Sequence, residues 1–248
     1  MALTTMGLGV PLYQHPGLDA AAWDALAVPG TPLQWVVLNQ ASGPGASEDS
    51  VLYDAGRSVK ASGTPVLGYI NHGYGSVVDF TVFQQADLWI ARGITDGVFL
   101  DQVAANSAGV QAVATTIQGL RKRGARHIVL NCGTVPADER YLQIADQVVT
   151  FEGTLPDYRT AMASQPAWLR EWKPERTVHL LHGVTTWADA REAVLLARAS
   201  GCHTVFMHTS VYTGPASNPW DGLPTAYWQD LTDLVGSFPA RPAPGWPR

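Results

Sequence analysis

The stretch ThrAspGlyValPheLeuAspGln, Thr95 to Gln102, holds a short apolar run, Val98 to Leu100, opened by Gly97 and closed by Asp101. An unbroken apolar run of this length reads as a buried parallel strand, here with a carboxylate at its carboxyl end. In a barrel of alternating strands and helices, that end is where catalytic groups stand. The competing reading is that Asp101 caps a helix beginning near Val103, because aspartate is a favoured N-cap residue. This stretch alone leaves both open.

Outward from it the same pattern recurs, short apolar or β-branched runs alternating with longer amphipathic ones, as repeated βα units require. Strands are expected at Gly9–Tyr13, Gln34–Asn39, Val66–Ile70, Gly97–Asp101, His127–Asn131, Gln147–Glu152, Val178–Gly183 and Thr204–Thr209. Helices are expected near Ala20–Leu26, Asp49–Ser62, Phe80–Arg92, Val103–Arg123, Glu139–Ala145, Tyr158–Leu169, Ala188–Ser200 and Ala226–Val235. Eight such units make an α/β chain folded as a single-domain (β/α)8 TIM barrel over residues 1–237, with a proline-rich tail over 238–248. A doubly wound open sheet would carry a glycine-rich phosphate turn after its first strand, and Gln14 to Gly17 does not fit one.

A length of 248 residues suits one barrel, and 46% hydrophobic with 15% charged residues is ordinary globular composition. The net charge of -5 gives no reason to expect nucleic acid, and Arg121, Lys122, Arg123 and Arg126 fall at an expected helix end, where cations complement the dipole. No signal-peptide pattern is visible and no apolar run reaches about 18 residues, so the expectation is a cytoplasmic protein, as the sequence stands, with no membrane partner. Cys132 and Cys202 are expected to be unpaired, one following a strand and the other preceding one at the opposite end of the barrel. The sequence does not address the oligomeric state.

The expected strand ends carry Tyr13, Asn39, Asn71 with His72, Asp101 with Gln102, Asn131, Glu152, His182 with Thr185, and His208 with Thr209. A core has little use for so many polar groups at one end, since each needs a partner when buried. Asp101 and Glu152 are the two carboxylates of this ring, and two carboxylates flanking a bond are the minimum apparatus of glycoside hydrolysis. For Glu152 the structural alternatives are a buried partner for Arg159 or a helix cap. His72, His182 and His208 are expected to hydrogen-bond ligand hydroxyls or one another rather than hold a metal, because barrel metallohydrolases usually begin with two histidines one residue apart on the first strand. Cys132 is expected to pack. Tyr13, Tyr69, Tyr74, Trp187, Tyr212 and Trp220 gather on the same face, where amphipathic rings suit the faces of sugars.

The motifs ValProLeuTyr (Val10–Tyr13), LeuAsnGlnAlaSerGlyProGly (Leu38–Gly45), LeuGlyTyrIle (Leu67–Ile70), AspGlyValPheLeuAsp (Asp96–Asp101), ValLeuAsnCysGlyThr (Val129–Thr134) and PheGlu (Phe151–Glu152) resemble the spherulation-specific family 4 group. That group is related to microbial glycoside hydrolases that cut α-1,4-linked N-acetylgalactosamine or galactosamine polymers. The resemblance implies a (β/α)8 barrel with an AspGlu pair after the fourth strand and a Glu after the sixth, falling here on Asp101, Gln102 and Glu152. Gln102 departs from the pattern, an amide where the resemblance implies an acid, and Cys132 stands where the family tends to have proline. Relatives are often secreted.

The expected function is therefore an endo-acting glycosidase on an amino-sugar polymer, needing no cofactor. Asp101 and Glu152 form its carboxylate pair, and Tyr13, Asn39, Tyr69, Asn131 and His208 position the sugar. In a retaining version Glu152 would be nucleophile and Asp101 acid/base, but sequence supplies no separation to distinguish retaining from inverting. The alternative is a barrel that binds carbohydrate without cleaving it, or an isomerase or lyase acting on a small molecule. Gln102 and the missing leader favour that alternative.

Overall fold

The apolar runs become eight parallel strands, β1 (Gly7–Val10), β2 (Leu33–Leu38), β3 (Val66–Asn71), β4 (Gly97–Asp101), β5 (His127–Asn131), β6 (Gln147–Gly153), β7 (Thr177–Leu181) and β8 (Thr204–Met207). In this computed structural model, which describes residues 3–171, 174–214, 217–239 and 241–242, each strand pairs with the next and β8 closes on β1. The intervening helices are α1 (Ala20–Leu26), α2 (Ser50–Ala61), α3 (Asp79–Ala91), α4 (Val110–Lys122), α5 (Arg140–Ile144), α6 (Leu155–Ala163), α7 (Trp187–Ser200) and α8 (Trp228–Gly236). The chain is a (β/α)8 barrel. Its strands read as continuous apolar runs because both faces are covered, one by the barrel interior and the other by helices. Val98, Phe99 and Leu100 are all fully buried, each burial contributing about 1.5–3 kcal/mol.

Local signals fix where helices start. Asp19 accepts from the Ala22 amide at 3.1 Å, Asp49 from Leu52 at 3.1 Å and Thr186 from Asp189 at 3.1 Å, each an N-cap. Cys132 and Cys202 are both unpaired. Arg121 pairs with Asp146 and Arg123 with Asp87 at the end of α4. No helix among the described residues is long and apolar enough to cross a membrane.

Several boundaries differ from the sequence reading by one or two residues, and four regions differ by more. The fourth helix begins at Val110, capped by Gly109, and not near Val103. Residues 103–109 form a loop instead, because the Val103 amide donates to the Asn131 carbonyl, the Ala105 carbonyl accepts from Ala137, and Asn106 Oδ1 takes the Gly109 amide. The first strand ends at Val10, since Pro11 follows and has no amide for the ladder, so Tyr13 lies in a loop. The sixth helix starts earlier, at Leu155 with proline in its first turn, and stops at Ala163, leaving Ala167–Glu171 as a separate 3₁₀ turn. The proline-rich end is more than a tail. Phe238 packs under the Arg198 guanidinium, and Arg241–Pro242 pair antiparallel with Leu3–Thr4, an edge position that tolerates proline. Residues 240 and 243–248 of that segment lie outside the described residues.

One irregularity decides where the second carboxylate points. Gln147 at the start of β6 faces the barrel interior, where it accepts from the Trp35 indole at 2.6 Å and donates to Thr204 at 2.9 Å. In a regular strand a residue five positions on would face outward. The ladder between β6 and β7 slips between Val149 and Phe151, inserting Thr150 as a bulge. The alternation is thereby reversed. Phe151 turns out against Tyr158, 4.7 Å away between ring centres, and Glu152 turns in.

Candidate active site

Asp101 ends β4, Asn131 ends β5 and Glu152 lies near the end of β6, so three adjacent strands deliver them to one mouth. A single nitrogen joins them. Asn131 Nδ2 donates one hydrogen to Asp101 Oδ1 at 2.7 Å and the other to Glu152 Oε2 at 2.8 Å, while Asn131 Oδ1 accepts the Gly133 amide at 3.0 Å. The anchored oxygen fixes the amide's orientation, since a flipped amide would set its oxygen against both carboxylates. Tyr69, from β3, donates its hydroxyl to Asp101 Oδ2 at 2.6 Å.

The two acids are held differently. Burial raises Asp101 above the ordinary aspartate range, opposed by hydrogen bonds from Tyr69, Asn131 and the Gln102 backbone. Burial, then the charge of Asp101, lifts Glu152 to about 7, opposed by bonds from Asn131 and the Trp220 indole. Environments that push two carboxyls apart assign one to carry the proton and the other the charge. The charge of Asp101 is among the causes that raise Glu152, so Asp101, with more donors, ionises first and Glu152 keeps its proton longer, up to about pH 7.

The structural alternatives for both acids fail. Asp101 caps no helix, as α4 starts at Val110. Arg159 pairs with Glu192 at 2.7 Å, and the residue preceding α6 is Thr154, leaving Glu152 to the cavity.

Around the pair lies a cavity of about 840 Å³. Of the residues expected from sequence, Tyr13, Asn39, Tyr69, Tyr74, Gln102, Asn131, His182, Tyr212 and Trp220 line it together with Asp101 and Glu152. Gln102 and Asp101 both face it because the strand ends at Asp101 and the backbone turns left-handed at Gln102. Burial lowers the pKa of His182 below that of a free imidazole, and its ring centre lies 6.4 Å from those of Tyr212 and Trp220.

Two histidines do not line the cavity. Asn71 faces it, so His72, the next residue, turns away and is buried behind, its backbone amide donating to the Asp101 carbonyl at 2.8 Å. His208 lies just past the end of β8, which stops at Met207, and is covered by the loop carrying Asp221, 3.4 Å away. Trp187 also departs from expectation. It opens α7 and packs on Tyr227 with ring centres 6.4 Å apart. Cys132 packs against the core and borders the cavity too, and burial pushes its thiol up to about 12, which removes it as a nucleophile at neutral pH.

The sequence reading missed Gln40, Ser42, Gly133 and the segment Ser217, Asn218 and Pro219, and did not assign Asn71 to the site. A signal for part of this exists. AsnHisGly (Asn71–Gly73) and AsnCysGly (Asn131–Gly133) stand at the ends of β3 and β5, on either side of β4, and in each the asparagine oxygen accepts the glycine amide two residues on. Asn218 repeats the device with the Trp220 amide and donates to the Tyr13 carbonyl, tying the last loop to the first. Among the described residues no group of three or more histidines, cysteines or acids stands where it could hold a metal ion.

Comparison with known proteins agrees with this architecture. Spherulin-4 of Physarum polycephalum is 30% identical over 161 residues, 62% of this chain and 47% of its own, so the chain spans about half the length of that relative. The crystal structure of Aspergillus clavatus Sph3 in complex with GalNAc shares the fold with a TM-score of 0.74 at 22% identity, over 94% of this chain and 98% of that one. The GH113 beta-mannanase AaManA from Alicyclobacillus acidocaldarius, in complex with ManMIm, shares it with a TM-score of 0.55 at 15% identity, over 94% and 96%. The sequence profile of spherulation-specific family 4 matches residues 8–235, from β1 to the last turn of α8, and the chain belongs to that family.

Proposed function

We propose that the protein is a retaining glycoside hydrolase that cuts within α-1,4-linked chains of galactosamine or N-acetylgalactosamine, with Asp101 as nucleophile and Glu152 as acid/base. The observation that carries this is the single Asn131 nitrogen bonded to both carboxylates. Because one atom makes both contacts, the two oxygens stand no more than about 5.5 Å apart, matching the roughly 5–5.5 Å of retaining pairs and short of the roughly 6.5–9.5 Å of inverting ones. The family and the sugar named with the Aspergillus clavatus structure support the substrate class.

In the first step Asp101 forms a bond to the anomeric carbon while Glu152 passes its proton to the departing glycosidic oxygen. In the second, Glu152, now ionised, takes a proton from water as the water oxygen displaces Asp101 from the sugar. The proton returns to Glu152 and no cofactor is called on. Asn131 donates to both acids throughout, so the charge moves from one to the other without loss of a partner. These roles reverse the sequence expectation, and the reason is electrostatic: Tyr69 and the Gln102 backbone donate to Asp101 but not to Glu152.

The test is incubation with α-1,4-linked N-acetylgalactosamine and galactosamine oligosaccharides, following new reducing ends and, by NMR, the configuration of the first product. The proposal expects cleavage with the α configuration kept. Binding without new reducing ends would favour the non-hydrolytic barrel, for which the amide at Gln102, inside the cavity beside Asp101, is the specific observation.

The pH dependence follows from the same pair. kcat/KM is expected to be bell-shaped, its two limbs belonging to the pair as a whole. The upper limb lies near 7, where Glu152 loses its proton, and the lower limb lies above the ordinary aspartate range, where Asp101 gains one. Tyr69→Phe removes a bond that favours ionised Asp101, so the lower limb should move to higher pH. A lower limb that stays in place would remove Tyr69 as a positioning residue.

A further inference from the structure

Among the described residues, three that are not glycine hold a left-handed backbone: Ser42 at φ 51°, Tyr74 at φ 55° and Gln102 at φ 54°. All three line the cavity. They stand in the loops after β2, β3 and β4, three consecutive strands, and so form one wall. Side-chain-bearing residues rarely adopt this conformation, and where they do so at a site the surrounding structure must enforce it. Here it does. Gly73 at φ 57° and Gly75 at φ 90° flank Tyr74, so three residues in succession are left-handed. Asn71 Oδ1 accepts the Gly73 amide at 2.6 Å, and the Tyr74 amide donates to the Gln102 carbonyl at 2.6 Å, linking two of the strained residues directly.

Folding gains little from the ring held this way, since Tyr74 is 67% exposed. Its ring nevertheless lines the same cavity as Asp101 and Glu152. Tyr212 is half-exposed beside His182 on the other side of the mouth. A cavity of 840 Å³ lies toward the upper end of the roughly 300–1,000 Å³ of small-ligand sites, leaving room beyond one sugar ring.

Resting on the glycosidase reading, we propose that Ser42, Tyr74 and Gln102 form a second sugar position, which takes the unit of the chain next to the one that reacts. Tyr74 stacks on the apolar face of that unit, and the Gln102 amide and Ser42 hydroxyl bond its hydroxyls. The wall carries no charged side chain, so an uncharged sugar fits it. The amide at Gln102 then has a positive role, because it both donates and accepts where an ionised acid only accepts.

The test titrates Glu152→Gln calorimetrically with N-acetylgalactosamine and its α-1,4-linked dimer and trimer, alone and combined with Tyr74→Ala or Tyr74→Asn. The dimer is expected to bind about tenfold more tightly than the monosaccharide, and both Tyr74 variants to lose that increment. Asparagine tolerates the left-handed backbone, so Tyr74→Asn should melt no lower than its parent, which separates loss of the ring from loss of the fold. An equal gain with length in all three proteins overturns this inference and leaves the glycosidase reading standing. Failure of every sugar to bind overturns both.

Discussion

Glu152→Gln and Asp101→Asn are each expected to lower turnover of an α-1,4-linked galactosamine-type oligosaccharide by about 10²–10⁴-fold, the range for losing a group that transfers a proton or carries the reacting charge. Each swap preserves volume and leaves Asn131 an oxygen to donate to. Neither acid holds the fold, because Arg159 has Glu192 and α4 starts well beyond Asp101. Stability should move the other way for Glu152. Its folded pKa of about 7 lies above the ordinary 4.5, so the folded chain keeps a proton that the unfolded chain has already released between those values. The stability this group contributes is complete below about 4.5 and is lost as pH rises through about 7. Glutamine does not titrate, so the unfolding free energy of Glu152→Gln should rise relative to its parent between pH 5 and pH 8, by on the order of 1–3 kcal/mol in urea titrations. Parent-like turnover by either variant would make that carboxylate structural.

Gly97→Ala is expected to cost the fold about 3 kcal/mol or more, above the usual price of overpacking. A Cβ at Gly97 would stand 1.7 Å from the carbonyl oxygen of His127, its partner across the β4–β5 ladder. No side chain can move aside to relieve a contact with backbone. The strand that delivers Asp101 would have to leave its neighbour, so urea titration should show a large fall in midpoint, or the variant should fail to accumulate as folded protein. A midpoint within about 0.5 kcal/mol of the parent would contradict the close approach at the start of β4.

The barrel was legible because strands covered on both faces leave unbroken apolar runs, and Val98–Leu100 is as plain a case as Val148–Val149. The carboxylates were legible because they terminate such runs. Faces were less so. A boundary misplaced by one or two residues reverses inward and outward, which is how His72 and His208 came to be counted in a ring they do not join. Glu152 was placed correctly at a strand end, but the bulge at Thr150 that turns it inward leaves no mark in ThrPheGlu. The loop after Asp101 resembled helix because its anchors, the Asn131 and Ala105 carbonyls, are distant in sequence or carried by backbone. Ser42, Ser217 and Asn218 sit in loops whose course periodicity does not set. The acid and base roles required distances and donors that spacing does not contain.

The most direct measurement traps the sugar on the enzyme. A fluorinated, activated α-galactosaminide that reacts readily but is released slowly would be incubated with the protein and the adduct located by mass spectrometry after trypsin. Asp101 lies in the peptide 93–121, where the only other acid is Asp96, and Glu152 lies in 141–159. Asp96 is already engaged with Lys60 at 3.0 Å and with the Val66 amide at 3.0 Å. The added mass is predicted on 93–121, at Asp101, and should be absent from Asp101→Asn. Mass on 141–159, or an inverted product with no adduct at all, would contradict a retaining pair with Asp101 as its nucleophile.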